Sequence, residues 1–238
     1  MPIVGRRVFV RADLNVPLEK GRVSDTSRID ESLPTLRRVI DGGGRAIVAS
    51  HLGRPKGKPD PKYSLAPVRE ILAERLGTEV VLASDCIGDE VLAQTRSLPH
   101  KAVLLLENLR FHAEEEKNDA DFSRALAALS DVYVNDAFGA AHRAHASTVG
   151  MVSHVPVRGL GLLMQKEIDH LTPLIGSPDR PFVVMLGGAK VSDKIKLIRN
   201  LLKRVDGLLV GGAMAYTFLA AGKQEIGASL VEPDLLDT

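Results

Sequence analysis

Cysteine is all but missing from this 238-residue sequence: Cys86 stands alone. An intrachain disulfide is therefore excluded, and a lone thiol of this kind is expected to be a small buried packing residue in a reducing compartment. Aromatic residues are also scarce, at 4%, yet hydrophobic residues reach 45% and charged residues 26%. That balance belongs to an ordinary globular chain and excludes a disordered one. No apolar run approaches the ~20 residues needed to span a bilayer. The opening MPIVGRRVFV has arginines but no apolar stretch long enough for a signal peptide. These absences predict a cytoplasmic protein. A formal net charge of +1 leaves no global field to attract nucleic acid or a membrane surface, so neither is expected as a partner, and charge has to be read locally.

Two motif absences narrow the chemistry. Neither G-x-x-x-x-G-K-[ST] nor a complete G-x-G-x-x-G occurs, which disfavours a Walker-type loop and a dinucleotide-dependent oxidoreductase. His142 and His145 have an H-x-x-H spacing, but no Cys, Glu or third His stands at a helix-compatible distance, so no protein-held metal is expected.

What is present is alternation. Short apolar, β-branched runs at Arg7–Leu14, Arg45–Leu52, Glu79–Leu82, Ala102–Glu107 and Asp131–Asn135 read as buried strands. Between them lie amphipathic segments. Ser64 is placed to cap a helix presenting Leu65, Val68, Leu72 and Leu76 before Gly77, and Asp119 to cap one presenting Phe122, Leu126 and Leu129. Strand–helix repeats of this kind predict a Rossmann-like α/β fold, a parallel sheet flanked by helices in three layers. A longer helix is expected over Gly161–Ile175, then the turn-rich GSPDRP at Gly176–Pro181 marks a boundary between segments 1–175 and 176–238. The pattern restarts with strands Phe182–Leu186 and Gly207–Val210 and helices Asp193–Val205 and Ala213–Ala221. Two parallel strands leave sheet edges uncovered, so this second α/β segment is expected to be incomplete.

The polar clusters fall just beyond strand ends: RADLN, SHLGR, ENLRFH and NDAFGAAHRAH. In an open α/β sheet that edge aims its loops into one crevice. Arg54, Arg110 and Arg143, with His51 alongside and Arg28 approaching from the segment after the first strand, would make a basic pocket there, with Asp13 and Asn15 placed to orient a hydroxyl. Several guanidinium groups aimed at one cleft imply a small, multiply anionic ligand. In the second segment, Gly187 and Gly188 follow a strand and Lys190 and Lys194 lie near a helix start, which is a phosphate-binding arrangement. The pair Gly211 and Gly212 is weaker, since close strand–helix packing also requires glycine.

The stretches VRADLNVP, SHLGRPKG, LLLENLRFHAEEEKND, VYVNDAFGAAHRAHAST, LGGAKVSDKI and GGAMAYTFL resemble successive motifs of the phosphoglycerate kinase family, in family order and over nearly the whole chain. The resemblance implies reversible phosphoryl transfer between ATP and the carboxylate of 3-phosphoglycerate, giving 1,3-bisphosphoglycerate and ADP, with Mg2+ accompanying the nucleotide and a monomeric chain. By motif position it puts acceptor binding on Asp13, Asn15, Arg28, His51, Leu52, Gly53, Arg54, Arg110 and Arg143. It puts nucleotide binding on Gly187, Gly188, Lys190, Lys194, Gly211 and Gly212. Arg28 and Lys190 are the residues expected to stabilise the phosphoryl in flight, and Gly161–Ile175 with the turn after it the expected hinge for closure. The pattern departs at Ala12, Leu14 and Ala213, where the family commonly has valine, phenylalanine and a third glycine. The sequence also stops at VEPDLLDT, before the family's later nucleotide-binding elements, so the expectation is 3-phosphoglycerate binding with little or no turnover. The competing expectation is a non-catalytic anion-binding module.

Overall fold

Period-two alternation within the apolar runs decides the layers. Val8, Val10, Val48, Val103, Leu105, Val132 and Val134 pack on one face of a sheet with Ile29, Leu36 and Leu72 from two helices. Phe9, Ile47, Leu104 and Tyr133 pack on the other face with Phe122 and Leu126. Both faces are therefore dry, which is why these strands carry almost no polar residues until they end. The structure is a computed structural model and describes residues 3–238; the first two residues of segment 1–175 lie outside it.

The strands of the six-stranded sheet are β1 (Arg7–Ala12), β2 (Arg45–Ala49), β3 (Val80–Leu82), β4 (Val103–Leu105), β5 (Val132–Asp136) and β6 (Val157–Leu160). All are parallel, in the order β3–β4–β2–β1–β5–β6. The helices are α1 (Ser27–Asp41), α2 (Ala66–Leu76), α3 (Asp89–Ser97), α4 (Ala113–Lys117), α5 (Ala120–Ala128), α6 (Phe138–Ala141) and α7 (Leu162–Ile175). The chain divides into two compact units, the first ending at Asp169 and the second running from His170 to Thr238. In the second, β7 (Val183–Gly187) pairs parallel with β8 (Gly207–Gly211), and α8 (Ile195–Leu201) and α9 (Met214–Ala221) follow them. Val191, Ile198 and Met214 form its small core, while Met185 is 77% exposed.

Several boundaries differ from the sequence pattern. The expected Arg7–Leu14 and Arg45–Leu52 strands end at Ala12 and Ala49 because side chains take over the backbone donors. Ser50 Oγ accepts the Leu14 N–H at 2.8 Å, and Asn108 Oδ1 accepts the Leu52 N–H at 3.2 Å. The helix expected over Asp193–Val205 is shorter, Ile195–Leu201, because turns flank it: Lys194 N–H donates to Val191 O before it, and Arg204 and Val205 N–H both donate to Leu201 O after it. The helix expected from Ser64 begins at Ala66 with Leu65 at the N-cap, and Ser64 Oγ accepts the Ala66 N–H at 3.2 Å. Asp119 caps α5, its Oδ1 accepting from Asp121 and Phe122. The pattern did not reveal α1, which runs on through Pro34, nor α3, nor β6, whose VRGL sequence lies half exposed.

Candidate functional site

Because the strands are parallel and in register, their C-terminal ends deliver the polar loops to one edge of the first unit. Asp13, the residue just after β1, accepts a 2.5 Å hydrogen bond from Arg28 Nη1 at the start of α1. Gly139, in the short helix α6 after β5, lies against it so closely that a β-carbon would stand 2.8 Å from Asp13 Oδ2. Asn15 Oδ1 accepts the Gly53 N–H at 2.8 Å, joining the β1 loop to the β2 loop.

The β2 loop is held from below by Asn108. Its Oδ1 accepts from Leu52 N and Arg110 N, and its Nδ2 donates to Leu52 O and Tyr63 O at 2.7 and 2.9 Å. A buried amide with its donors and acceptor all satisfied is a rigid clamp. Arg110, 6% exposed, donates from Nη1 to Gly53 O at 2.9 Å. Its Nε lies 3.1 Å from Glu116 Oε1, but the N–H is not aligned, so that contact is an ion pair rather than a hydrogen bond. Burial, then the neighbouring Arg143 and Arg11, pull the Arg110 pKa down against the pull of Glu116.

His51 is 7% exposed and its pKa is pushed down to about 2, first by burial and then by Arg11, Arg110, His145 and Arg143. Arg143 is exposed, yet near enough for its charge to act on both His51 and Arg110. Arg54 is exposed and makes no hydrogen bond or ion pair among the described residues, which leaves its donors for a ligand. The geometry therefore joins Asp13 with Arg28 and Asn15 with Gly53 and Arg110, places Arg143 beside them electrostatically, and leaves Arg54 uncommitted. Sequence reasoning missed Arg11, Asn108, Glu115 and Ser147. Asn108 sits inside ENLRFH and was legible as a turn residue; the others are linked only by tertiary packing.

His142 is exposed and His145 buried, with His145 Nδ1 3.7 Å from Glu115 Oε1. Among the described residues the metal-capable side chains that do converge are Asp85, Cys86 and His112, within 4.8 Å of one another. Asp85 and His112 are already hydrogen bonded at 2.7 Å, and burial drives the Cys86 thiol pKa up, so this trio is a structural contact beneath a packed cysteine.

In the second unit, Gly187 and Gly211 face each other in register. Gly212 has φ +71°, and a β-carbon there would stand 2.8 Å from Gly188 O, so this pair of turns requires glycine for backbone contact. Lys194 lies over Gly188, whose β-carbon would meet Lys194 Cε at 3.1 Å. Lys190 is exposed. Glu232 binds the same turn, accepting from Val191 N, Ser192 N and Ser192 Oγ.

A profile of the phosphoglycerate kinase family matches residues 1–238. The chain belongs to the phosphoglycerate kinase family. The phosphoglycerate kinase of Anaeromyxobacter sp. (strain K) is 56% identical over 240 residues, covering 100% of this chain and 61% of the relative. That of Leptospira biflexa serovar Patoc is 54% identical over 230 residues, covering 97% and 58%. The solved structure of phosphoglycerate kinase from Coxiella burnetii superposes with a TM-score of 0.86 at 37% identity, over 100% of this chain and 59% of that one. The chain thus spans about 60% of the length of the family members it matches. Among the described residues no helix is long and apolar enough to cross a membrane.

Proposed function

We propose that this chain serves reversible phosphoryl transfer between ATP and the carboxylate of 3-phosphoglycerate, with segment 1–175 holding the acceptor and segment 176–238 contributing part of the nucleotide side. The observation that carries the reading is the convergence of Arg54, Arg110 and Arg143 with His51, Asp13, Asn15 and Arg28 at one sheet edge, in a chain whose family is shown. Guanidinium groups suit the phosphate and carboxylate of such an acid, while Asp13 and Asn15 suit its hydroxyl. Leu52 and Gly53 line the same edge, their backbone groups held by Asn108, Asn15 and Arg110.

The nucleophile in this reaction is already a carboxylate, so no general base is needed. The protein's task is alignment and neutralisation of charge in flight. Arg28, tethered to Asp13 and half exposed, is the residue assigned to this on the acceptor side, and Lys190 on the nucleotide side. Gly187, Gly188, Lys194, Gly211 and Gly212 would approach the phosphates. The amides of Val191 and Ser192 are occupied by Glu232, which shifts that load to the lysines and glycines. Mg2+ is expected to arrive with the nucleotide. Among the described residues no three metal-capable side chains gather near Lys190 and Lys194, so the chain's own carboxylates do not form a site that fits it. The chain is expected to act as a cytoplasmic monomer, without nucleic acid or membrane partners.

Calorimetric titration with 3-phosphoglycerate tests the reading. Binding that falls at least tenfold in Arg54→Ala, and is lost in a folded Arg110→Ala, supports it. Binding that neither variant weakens, or no binding by a folded chain, sinks it. Magnesium ATP titrated against Lys194→Ala tests the nucleotide side in the same way, with weaker binding expected in the variant.

A further inference from the structure

Arg11 ends β1 inside the core, 1% exposed, among the largest fully buried side chains of the molecule. Its Nε donates to Ser147 Oγ at 2.8 Å and its Nη1 to Ala12 O at 2.5 Å. The remaining arm, Nη2, lies 3.2 Å from His51 Nδ1. A guanidinium keeps its proton and has no lone pair to offer, so in this contact Nδ1 is the acceptor. The single proton of a neutral imidazole then sits on Nε2, which makes no hydrogen bond among the described residues and is not one of their buried unpartnered atoms.

A second proton is opposed from every side. Arg11 comes from β1, Arg110 from the turn after β4, and Arg143 and His145 from the loop after α6, and all of them lower the basicity of His51. The nearby carboxylate, Glu115, is fully buried and engaged elsewhere: its Oε1 accepts from Ser147 Oγ at 2.6 Å and its Oε2 from Ser147 N at 2.9 Å. Glu115 thereby offsets the buried Arg11 charge through one serine hydroxyl, and it fixes the serine that fixes the arginine.

We propose that Arg11 is a positioning residue that locks His51 as a neutral Nε2–H donor for the bound anion, with Ser147 and Glu115 holding Arg11 in place. The ligand in this statement rests on the function proposed above; the tautomer does not. A neutral donor adds hydrogen-bonding specificity for a phosphate or carboxylate oxygen without a further charge in a pocket already rich in arginine.

Nitrogen-15 NMR of the histidine side chains in the full chain decides it, with His51 assigned by its loss in His51→Gln. The wild-type chain is expected to show the Nε2–H tautomer for His51 and no titration from roughly pH 8 to roughly pH 4, well below an ordinary histidine. Arg11→Met is expected to mix the two tautomers, to let His51 begin to titrate in that range, and to weaken 3-phosphoglycerate binding about tenfold. An Nδ1–H tautomer or ordinary titration in the wild type overturns the proposal without needing any variant to fold. An unchanged His51 spectrum in a folded Arg11→Met also overturns it. If the tautomer behaves as expected but no 3-phosphoglycerate binds, the positioning role stands and the ligand assignment falls.

Discussion

Gly53 lies so close to Tyr63 that a β-carbon on it would stand 2.5 Å from two atoms of the ring. Its φ of +61° is also one that other residues adopt at a cost of about 1–2 kcal/mol. Gly53→Ala is therefore expected to lower stability by at least ~2 kcal/mol in denaturant titrations. Adding Tyr63→Ala should recover the steric part only, giving a coupling above about 0.5 kcal/mol in a double-mutant cycle. Purely additive effects would mean that the ring and the glycine do not constrain each other.

Asn108 should be among the residues least tolerant of change. Its four hydrogen bonds are to Leu52, Arg110 and Tyr63, and it is fully buried. Asn108→Ala is expected to cost roughly 3–5 kcal/mol. Asn108→Asp should also be damaging although it keeps the shape, because it cannot donate to the two carbonyls. A chemical-denaturation midpoint close to wild type for the aspartate would contradict the clamp.

Arg54 separates stability from recognition. With no partner among the described residues, Arg54→Ala should move stability by no more than ~0.5 kcal/mol while weakening anion binding. Thermal unfolding with and without 3-phosphoglycerate measures both: the midpoints of the two free chains should coincide, and the ligand-induced rise should shrink in the variant.

Acid stability should depend on Asp131. Arg7 donates to it from its side chain and backbone, with Nη2 at 2.7 Å from Oδ1, and these hydrogen bonds hold its pKa below the usual carboxylate value. Its folded pKa is lowered, so its contribution is present above the unfolded value of ~3.9 and is lost as pH falls through the folded one. The side chain is 41% exposed, which limits the effect to about 1 kcal/mol or less. Asp131→Asn should thus lie below wild type near neutral pH and converge with it in acid; a constant offset at all pH values would refute the linkage.

Glu232 should protect the turn that it binds. Its pKa is lowered, chiefly by the Ser192 hydroxyl and against an opposing effect of burial, so the ionised form holds the turn and protonation releases it. Hydrogen exchange at the Val191 and Ser192 amides should accelerate in Glu232→Ala, and equal exchange rates would show the turn to be held by other contacts.

Most of the sheet was legible because parallel strands buried on both faces must be written as apolar runs, and the five seen in the sequence all form. The strand ends were not, since Ser50 and Asn108 capture backbone donors that the pattern assigns to the ladder. The edge strand β6 escaped notice because half-exposed VRGL carries neither a continuous apolar run nor a clean alternation. In α1, the helical spacing of Ile29, Leu36 and Ile40 is broken by Pro34, which reads locally as a stop.

By itself the sequence determined the α/β class, the family and the set of arginines at strand ends, because periodicity, motif order and loop position are all local properties of the chain. Tertiary structure decided how those residues are held: Asn108 beneath the β2 loop, Gly139 against Asp13, and Arg11 joined through Ser147 to Glu115 and directly to His51. These contacts join residues up to 136 positions apart, and whether a buried charge finds its partner depends on packing that no local pattern encodes.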